Sequence, residues 1–414
     1  MAKDTRRAKG TGNIRKRTVE RDGKQHSYWE AAVTLGYDPG TGKQVRKTYT
    51  GKTQKEVREK MQAAAVAVQN GDFFEPSKMT VAEWLDLWLK DYSAGWKYRT
   101  KEKYESVSRV HIKPALGAVK LSKLTAPQIQ GFYNELGKTG KVSRQLDEAG
   151  KLLGRKSPLS TKSIRLVHGV LTKALNTALR VGYIRSNPAE LCTVPKLEKK
   201  EIRPLTDEQI KAFVSLCDGE EYGRIYKLIL FTGLREGEAL GLTWDCVDFK
   251  NGTLKINKQL QKQGKEHRIV PLKNSKPRFL TVSPYVVELL KEERVHQLEQ
   301  RLAAGELWQG WGSQEEMKTA LVFLRADGAY QSADAVYKRY KHLAEMIGAP
   351  ESRVHDLRHT FAVLSLQNGD NVKTVQDNLG HATAAFTLDV YGHVSERMKE
   401  DSAARMQAYI ESMA

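Results

Sequence analysis

The spacing of apolar residues changes period along this chain, and each change marks off a segment that must fold by a different rule. In residues 1–76 the pattern alternates. Asn13–Val19, Tyr28–Tyr37 and Gln44–Thr50 read as strands, separated by RDGKQ and DPGTGK, whose Gly, Asp and Pro suit hairpin turns. Thr53 then precedes Gln54–Gln69, an Ala/Val-rich helical stretch with Glu56 in the capping-box position. This predicts a small three-stranded sheet with one helix.

From residue 77 to 195 the period becomes helical. Val81, Trp84, Leu85 and Trp88 follow the 3, 4, 7 spacing of one helix face. Further helices are expected over Arg99–Ile112, Thr125–Leu136 and Ser160–Val181, with an exposed linker from Gly137 to Pro158. Residues 203–414 mix both patterns. Thr206 is an N-cap for a helix to Cys217, and Tyr226–Thr232 is a buried helix. Strands are expected at Thr253–Leu260, Glu266–Pro271 and Arg278–Thr281, and the last third is helical. The class is therefore α+β, in three domains.

Charge narrows the partner. There are 68 Lys and Arg against 49 Asp and Glu, a formal net charge of +19, and such an excess suits a polyanion such as nucleic acid. Nine of the basic residues against three acidic ones fall at or before Lys24. Cys192, Cys217 and Cys246 form no CxxC pair, which argues against a disulfide framework or a thiolate zinc site. No apolar run is long enough to span a membrane, and MAKDTRRAKGTG lacks the apolar core of a secretory signal. The expectation is a cytoplasmic protein associated with the nucleoid and not with a membrane.

Four short stretches carry chemistry. In Thr232-Gly-Leu-Arg235, an Arg follows a Gly-containing turn at the mouth of an apolar helix. Its planar guanidinium can grip two phosphate oxygens, or it can pair structurally with Glu238. In His355-Asp-Leu-Arg358-His359, His355 and Arg358 share a helix face. His355 and His359 also have zinc-site spacing, but Asp356 stands where HExxH needs Glu and no third ligand is evident. Leu379-Gly-His381 is followed ten residues later by Tyr391-Gly-His393. Lys273-Asn-Ser-Lys276-Pro-Arg278 lies between two strand-like runs.

Taken in order, Arg235, Lys273, His355, Arg358, His381 and Tyr391 resemble the signature of the tyrosine recombinases, the lambda-integrase class. The motifs TGLRxGExLxLxW, HDLRHTFA, LGH and the downstream Tyr carry the resemblance, which extends over the whole chain. Its layout is similar to that of integrases of conjugative transposons and temperate phages. The resemblance implies an arm-type DNA-binding domain at 1–76, a helical core-binding domain at 77–195 and a catalytic domain at 203–414. It also implies roles: Tyr391 as nucleophile, Arg235 and Arg358 as phosphate clamp, His355 assisting the Tyr391 proton, His381 hydrogen-bonding the phosphate. Lys273 would protonate the leaving 5′ oxygen; it stands five residues before Arg278, the spacing usual in the family, with Lys276 as the alternative.

Physical chemistry points the same way. Two fixed arginines supply electrostatics that many nucleases take from metal ions. No acidic cluster for Mg²⁺ and no GxxxxGK[ST] loop is present, so neither metal, ATP nor another cofactor is expected. Double-stranded DNA is the expected substrate, at core sites and at distal arm sites read by Arg15, Lys16 and Arg17. The expected assembly is a homotetramer on synapsed DNA, with accessory DNA-bending or excision proteins as further partners. A relaxing topoisomerase of the same chemistry, and a DNA-binding regulator that has lost catalysis, are the competing readings. Finally, Met406, Tyr409, Ile410 and Met413 put an apolar stripe on a C-terminal tail helix, which would dock either on its own domain or, as the resemblance implies, on a neighbouring protomer.

Overall fold

The computed structural model describes residues 14–21, 24–37, 43–69, 78–142, 156–197, 203–272, 276–380 and 395–413. The chain forms two compact units, Met1–Glu198 and Lys199–Ala414.

In the first unit, β1 (Arg15–Arg21), β2 (Lys24–Tyr37) and β3 (Gln44–Gly51) form an antiparallel sheet in that order, followed by α1 (Gln54–Gln69). Ala31 and Val33 of β2 are buried in one cluster with Val57, Met61 and Ala64 of α1. Because side chains alternate across a strand, the register assigns faces to the rest. Arg15 pairs with Glu30 and Arg17 with Tyr28, so both arginines stand on the face away from α1. Lys16 pairs with Trp29, which packs with the α1 cluster, so Lys16 belongs to the other face. Arg15, Lys16 and Arg17 thus do not form one surface.

The same unit has a second, separate core. It is built by α2 (Val81–Asp91), α3 (Tyr98–Val107), a single π-helical turn at Ser108–Ile112, α4 (Lys113–Leu116), α5 (Ala126–Thr139) and α6 (Thr161–Arg180). The four residues whose spacing predicts α2 are all buried. Trp84 Nε1 donates to Ala174 O at 3.0 Å and Trp88 Nε1 to Thr177 Oγ1 at 3.2 Å, so the apolar bodies fill the core while their N–H groups tie α2 to α6. Most described residues of the expected linker from Gly137 to Pro158 carry regular structure, and residues 143–155 lie outside them. Helix α5 runs into it as far as Thr139, and β4 (Lys141–Val142) pairs with β5 (Lys156–Ser157).

The second unit begins with α7 (Asp207–Leu216), capped by Thr206 and Gln209 reciprocally, and α8 (Gly223–Thr232), whose Ile225, Tyr226, Leu228, Ile229 and Leu230 are buried in the main core. After the short α9 (Glu236–Leu240) come β6 (Val247–Asp248), β7 (Thr253–Ile256), β8 (Lys258–Gln263), β9 (Glu266–Pro271) and β10 (Arg278–Thr281). The single strand expected over Thr253–Leu260 is two strands in two sheets. β7 lies between β10 and β6, whereas β8 pairs with β9. The break lets β8 approach α9. A Cβ on Gly241 would come within 2.6 Å of the Gln259 backbone, a contact only glycine allows.

Among the described residues there follow helices α10 (Pro284–Ala304), α11 (Gln314–Thr319), α12 (Ala333–Met346), α13 (Val354–Gln367), α14 (Val372–Leu379) and α15 (Ser395–Met413). Buried Gln297 fastens α10. Its Oε1 accepts from the indoles of Trp244 and Trp311, and its Nε2 donates to the carbonyls of Leu321 and Val322. A buried amide with this many partners incurs no desolvation deficit.

Candidate active site

Helix α8 ends at Gly233, whose φ of +67° turns the chain back at little cost for a residue without Cβ. The turn also needs glycine for space, since a Cβ there would lie 2.4 Å from the Phe361 ring and 2.7 Å from Leu379. Two residues on, Arg235 is the N-cap of α9. Glu238 reaches back to it: its Oε2 accepts from the Arg235 backbone N–H at 3.0 Å and its Oε1 from Nη1 at 2.7 Å. The structural pairing considered for Arg235 therefore exists. It does not consume the side chain, 39% of which remains exposed, whereas Glu238 is 2% exposed.

Arg358 comes from α13, more than a hundred residues later, and is 1% exposed. Its Nη1 donates to Gly233 O at 2.7 Å and its Nη2 to Leu379 O at 2.6 Å. Arg235 Nη2 donates to the next carbonyl, Gly380 O, at 3.4 Å. The two guanidinium groups are thus gathered at one helix end by successive carbonyls. Such a helix C-terminus carries partial negative charge and favours cations.

His355 lies in the first turn of α13 with an exposed edge, its ring 4.9 Å from that of His359 and nearly perpendicular to it. Desolvation by the surrounding protein, then the charges of His359 and Arg358, lower its pKa below the ordinary imidazole range. The neutral ring is the form that can accept a proton. Asp356, the acid between the histidines, is committed to Arg353 through bonds of 2.9 and 3.1 Å. Among the described residues no group of three His, Cys, Asp or Glu side chains is gathered as metal ligands.

Lys273, His381 and Tyr391 lie outside the described residues. Lys276 is described and exposed. The structure adds one participant that the sequence reading used only as a spacing mark. Arg278, from β10, donates from Nη1 and Nη2 to the two oxygens of Glu238 at 3.2 and 2.7 Å, and from Nε to Asn378 O at 2.8 Å. Burial alone would raise the Glu238 carboxyl, but hydrogen bonds and charge from Arg278, with Arg235, hold it down at about 2. The cluster Arg235, Arg278, Arg358 and Glu238 therefore carries net positive charge. None of Arg235, His355 and Arg358 lines the cleft formed by the α7–α8 turn and α10, where Asp218, Glu220, Arg224, Lys227 and Tyr285 meet. A partly open cationic surface suits a polymer better than an enclosed small molecule.

Comparison with known proteins agrees with this chemistry. The profile of the Phage integrase family matches residues 203–398, and that of the Phage integrase, N-terminal SAM-like domain, matches residues 80–137. A Tyrosine recombinase XerC-like protein of Caldanaerobacter subterraneus is 28% identical over 94% of this chain and 97% of its own length. The Tn1549 transposon integrase, solved in complex with a circular intermediate DNA, superposes with a TM-score of 0.61 at 22% identity, covering 81% of this chain and 100% of that one. A lambda integrase tetramer bound to a Holliday junction gives a TM-score of 0.53 at 19% identity, covering 91% of this chain and 95% of that one. At these identities the solved structures speak for the fold.

Proposed function

This chain belongs to the phage integrase family, the tyrosine recombinases that cut and rejoin DNA, and from that premise we propose that it integrates and excises a mobile genetic element. Tyr391 Oη attacks the scissile phosphorus and the P–O5′ bond breaks. The products are a 3′-phosphotyrosine and a free 5′ hydroxyl, the leaving oxygen taking its proton from Lys273. His355 receives the tyrosine proton, and Arg235, Arg358 and His381 stabilise charge on the non-bridging oxygens. Attack of a 5′ hydroxyl from the other duplex reverses the step and joins the exchanged strands. One phosphodiester is exchanged for one phosphotyrosine, so the energy of the bond is kept and no ATP is consumed.

The convergence of Arg235 and Arg358 on successive carbonyls at one helix end carries this reading. It supports a clamp assembled by the fold from segments far apart in sequence. The lowered pKa of His355 supports a neutral base beside it. Residues 77–195 hold the core site and residues 1–76 bind a distal arm site on double-stranded DNA. The active assembly is a homotetramer on synapsed DNA, as in the lambda integrase tetramer on its junction. Accessory DNA-bending or excision proteins set the direction, and the enzyme works at the nucleoid in the cytoplasm.

The test is a nicked suicide substrate, which traps covalent protein–DNA adducts. Tyr391→Phe should bind the core site normally and form no adduct, because only the attacking oxygen is removed. An adduct formed by the Phe variant would overturn the assignment of the nucleophile. Supercoil relaxation without two-site recombination by the unaltered protein would make it a topoisomerase instead.

A further inference from the structure

Three arginines from three separate segments meet the last turn of α14. Arg278 takes the carbonyl of Asn378 at 2.8 Å, Arg358 that of Leu379 at 2.6 Å and Arg235 that of Gly380 at 3.4 Å. These oxygens lie in the last turn and C-cap of the helix, beyond the reach of its own backbone N–H groups. The Arg278 guanidinium also meets both oxygens of Glu238. The Glu238 carboxylate thereby accepts four bonds, two on each oxygen: Arg235 Nη1 and Arg278 Nη1 on Oε1, Arg235 N and Arg278 Nη2 on Oε2.

We propose that Arg278 is a positioning residue for the Arg235 clamp: it balances the charge of Glu238 and pins the Arg235 turn to the end of α14. The proposal rests on the strand-cleavage reading for what the clamp holds. Its first half follows from charge. A carboxylate 2.7 Å from the Arg235 guanidinium would, alone, cancel the attraction that a phosphate is meant to feel. Arg278 supplies the second cation, so the trio of Arg235, Glu238 and Arg278 keeps one positive charge. The second half follows from geometry. The planar guanidinium of Arg278 bridges Glu238 and Asn378, joining β10 to the N-cap of α9 and the C-terminus of α14, a span for which the single point charge of lysine is not equivalent.

A double-mutant cycle separates this role from a plain packing contact. Arg278→Met should slow adduct formation by DNA-bound protein on the order of 10²-fold, like loss of a transition-state donor, through Arg235 rather than by touching DNA. Core-site affinity should stay within a few fold, because many other phosphate contacts remain. Adding Glu238→Gln removes the charge that Arg278 balanced, so cleavage should recover to about the rate of Arg278→Lys, the deficit that remains being the lost span to Asn378. Losses that multiply instead would overturn the proposal. The same rescue is expected in the thermal unfolding midpoint, which requires neither DNA nor cleavage and so survives failure of the strand-cleavage reading. If Arg278→Met does not fold, recovery of folding by Glu238→Gln is the supporting result and continued unfolding the opposing one. Arg278→Lys keeps the charge but not the span, so it should cleave more slowly than the unaltered protein and gain nothing from Glu238→Gln. A normal rate in that variant would remove the pinning role.

Discussion

Glu236 and Glu238 stand two positions apart on one short helix and have opposite electrostatic fates. Glu238 is buried among arginines and stays ionised, whereas Glu236 is pushed up to about 7 by burial and then by Asp334. Glu236 Oε1 is buried without a hydrogen-bond partner among the described residues. Its folded-state pKa exceeds the unfolded value of 4.5, so its ionisation opposes folding progressively as pH rises from there through about 7. Glu236→Gln should therefore raise stability by about 1–2 kcal/mol near pH 8 and leave it little changed near pH 4, where both side chains are neutral. Thermal unfolding at the two pH values checks this; equal effects at both would show that packing, not ionisation, governs the site. At this scale the sequence was informative where a motif is contiguous. TGLR and HDLR place Arg235, His355 and Arg358 on a turn and a helix start by local rules alone. The contacts of Arg278 were not legible, because they join residue 278 to positions 238 and 378 and no local spacing encodes such a meeting.

Elements whose periodicity is unambiguous matched their expectations, as the buried face of α2 illustrates. The strand over Thr253–Leu260 did not, since alternation continues through Asn257 while the hydrogen-bonding partner changes from β10 to β9. Partner choice is set by distant segments and leaves no mark on period. The three-stranded sheet has the same property: the segments were readable, but the faces came only with the register. That register yields a prediction. On the face away from α1, Arg15 Nε and Arg17 Nε both donate to Glu30 Oε1, at 2.8 and 2.9 Å, which steadies two exposed guanidinium groups. An arginine anchored through Nε can still direct its terminal fork at the O6 and N7 of a guanine in the major groove. Arg17→Ala should weaken distal-site binding by about 1–3 kcal/mol and relax its sequence preference. Lys16→Ala, on the opposite face, should change neither beyond the loss of one charge. Binding measured on a randomised distal site decides it, and equal losses for the two variants would mean that the sheet does not bind DNA through this face.

At the scale of the whole molecule, the proposed recombination requires that a lone protomer not cut, since a broken strand would then have no partner. Helix α15 carries Met406, Tyr409, Ile410 and Met413 at helical spacing, and they are 59%, 60%, 50% and 65% exposed in the single chain. Four large apolar side chains in one stripe do not remain in water without cost, each buried one contributing about 1.5–3 kcal/mol. The self-docked alternative, in which this stripe packs on its own domain, is not the arrangement of the single chain. We propose a second copy as the occupant. Tyr391 lies only four residues before the start of α15, so where the helix docks constrains where the proposed nucleophile can reach. Placement of Tyr391 then depends on assembly, and a strand is opened only when an exchange partner is present. Deleting residues 396–414 should leave single-site DNA binding intact, reduce tetramers on synapsed DNA and uncouple cleavage from recombination. Native mass measurement of the DNA-bound complexes, alongside a two-site recombination assay, tests each part. Undiminished tetramers with normal recombination would remove the tail from assembly. Fewer tetramers with unchanged coordination would make it an adhesive contact without control of the nucleophile. Met406→Glu with Ile410→Glu repeats the test without shortening the chain, since charge on the stripe prevents burial but leaves the link to Tyr391 at full length.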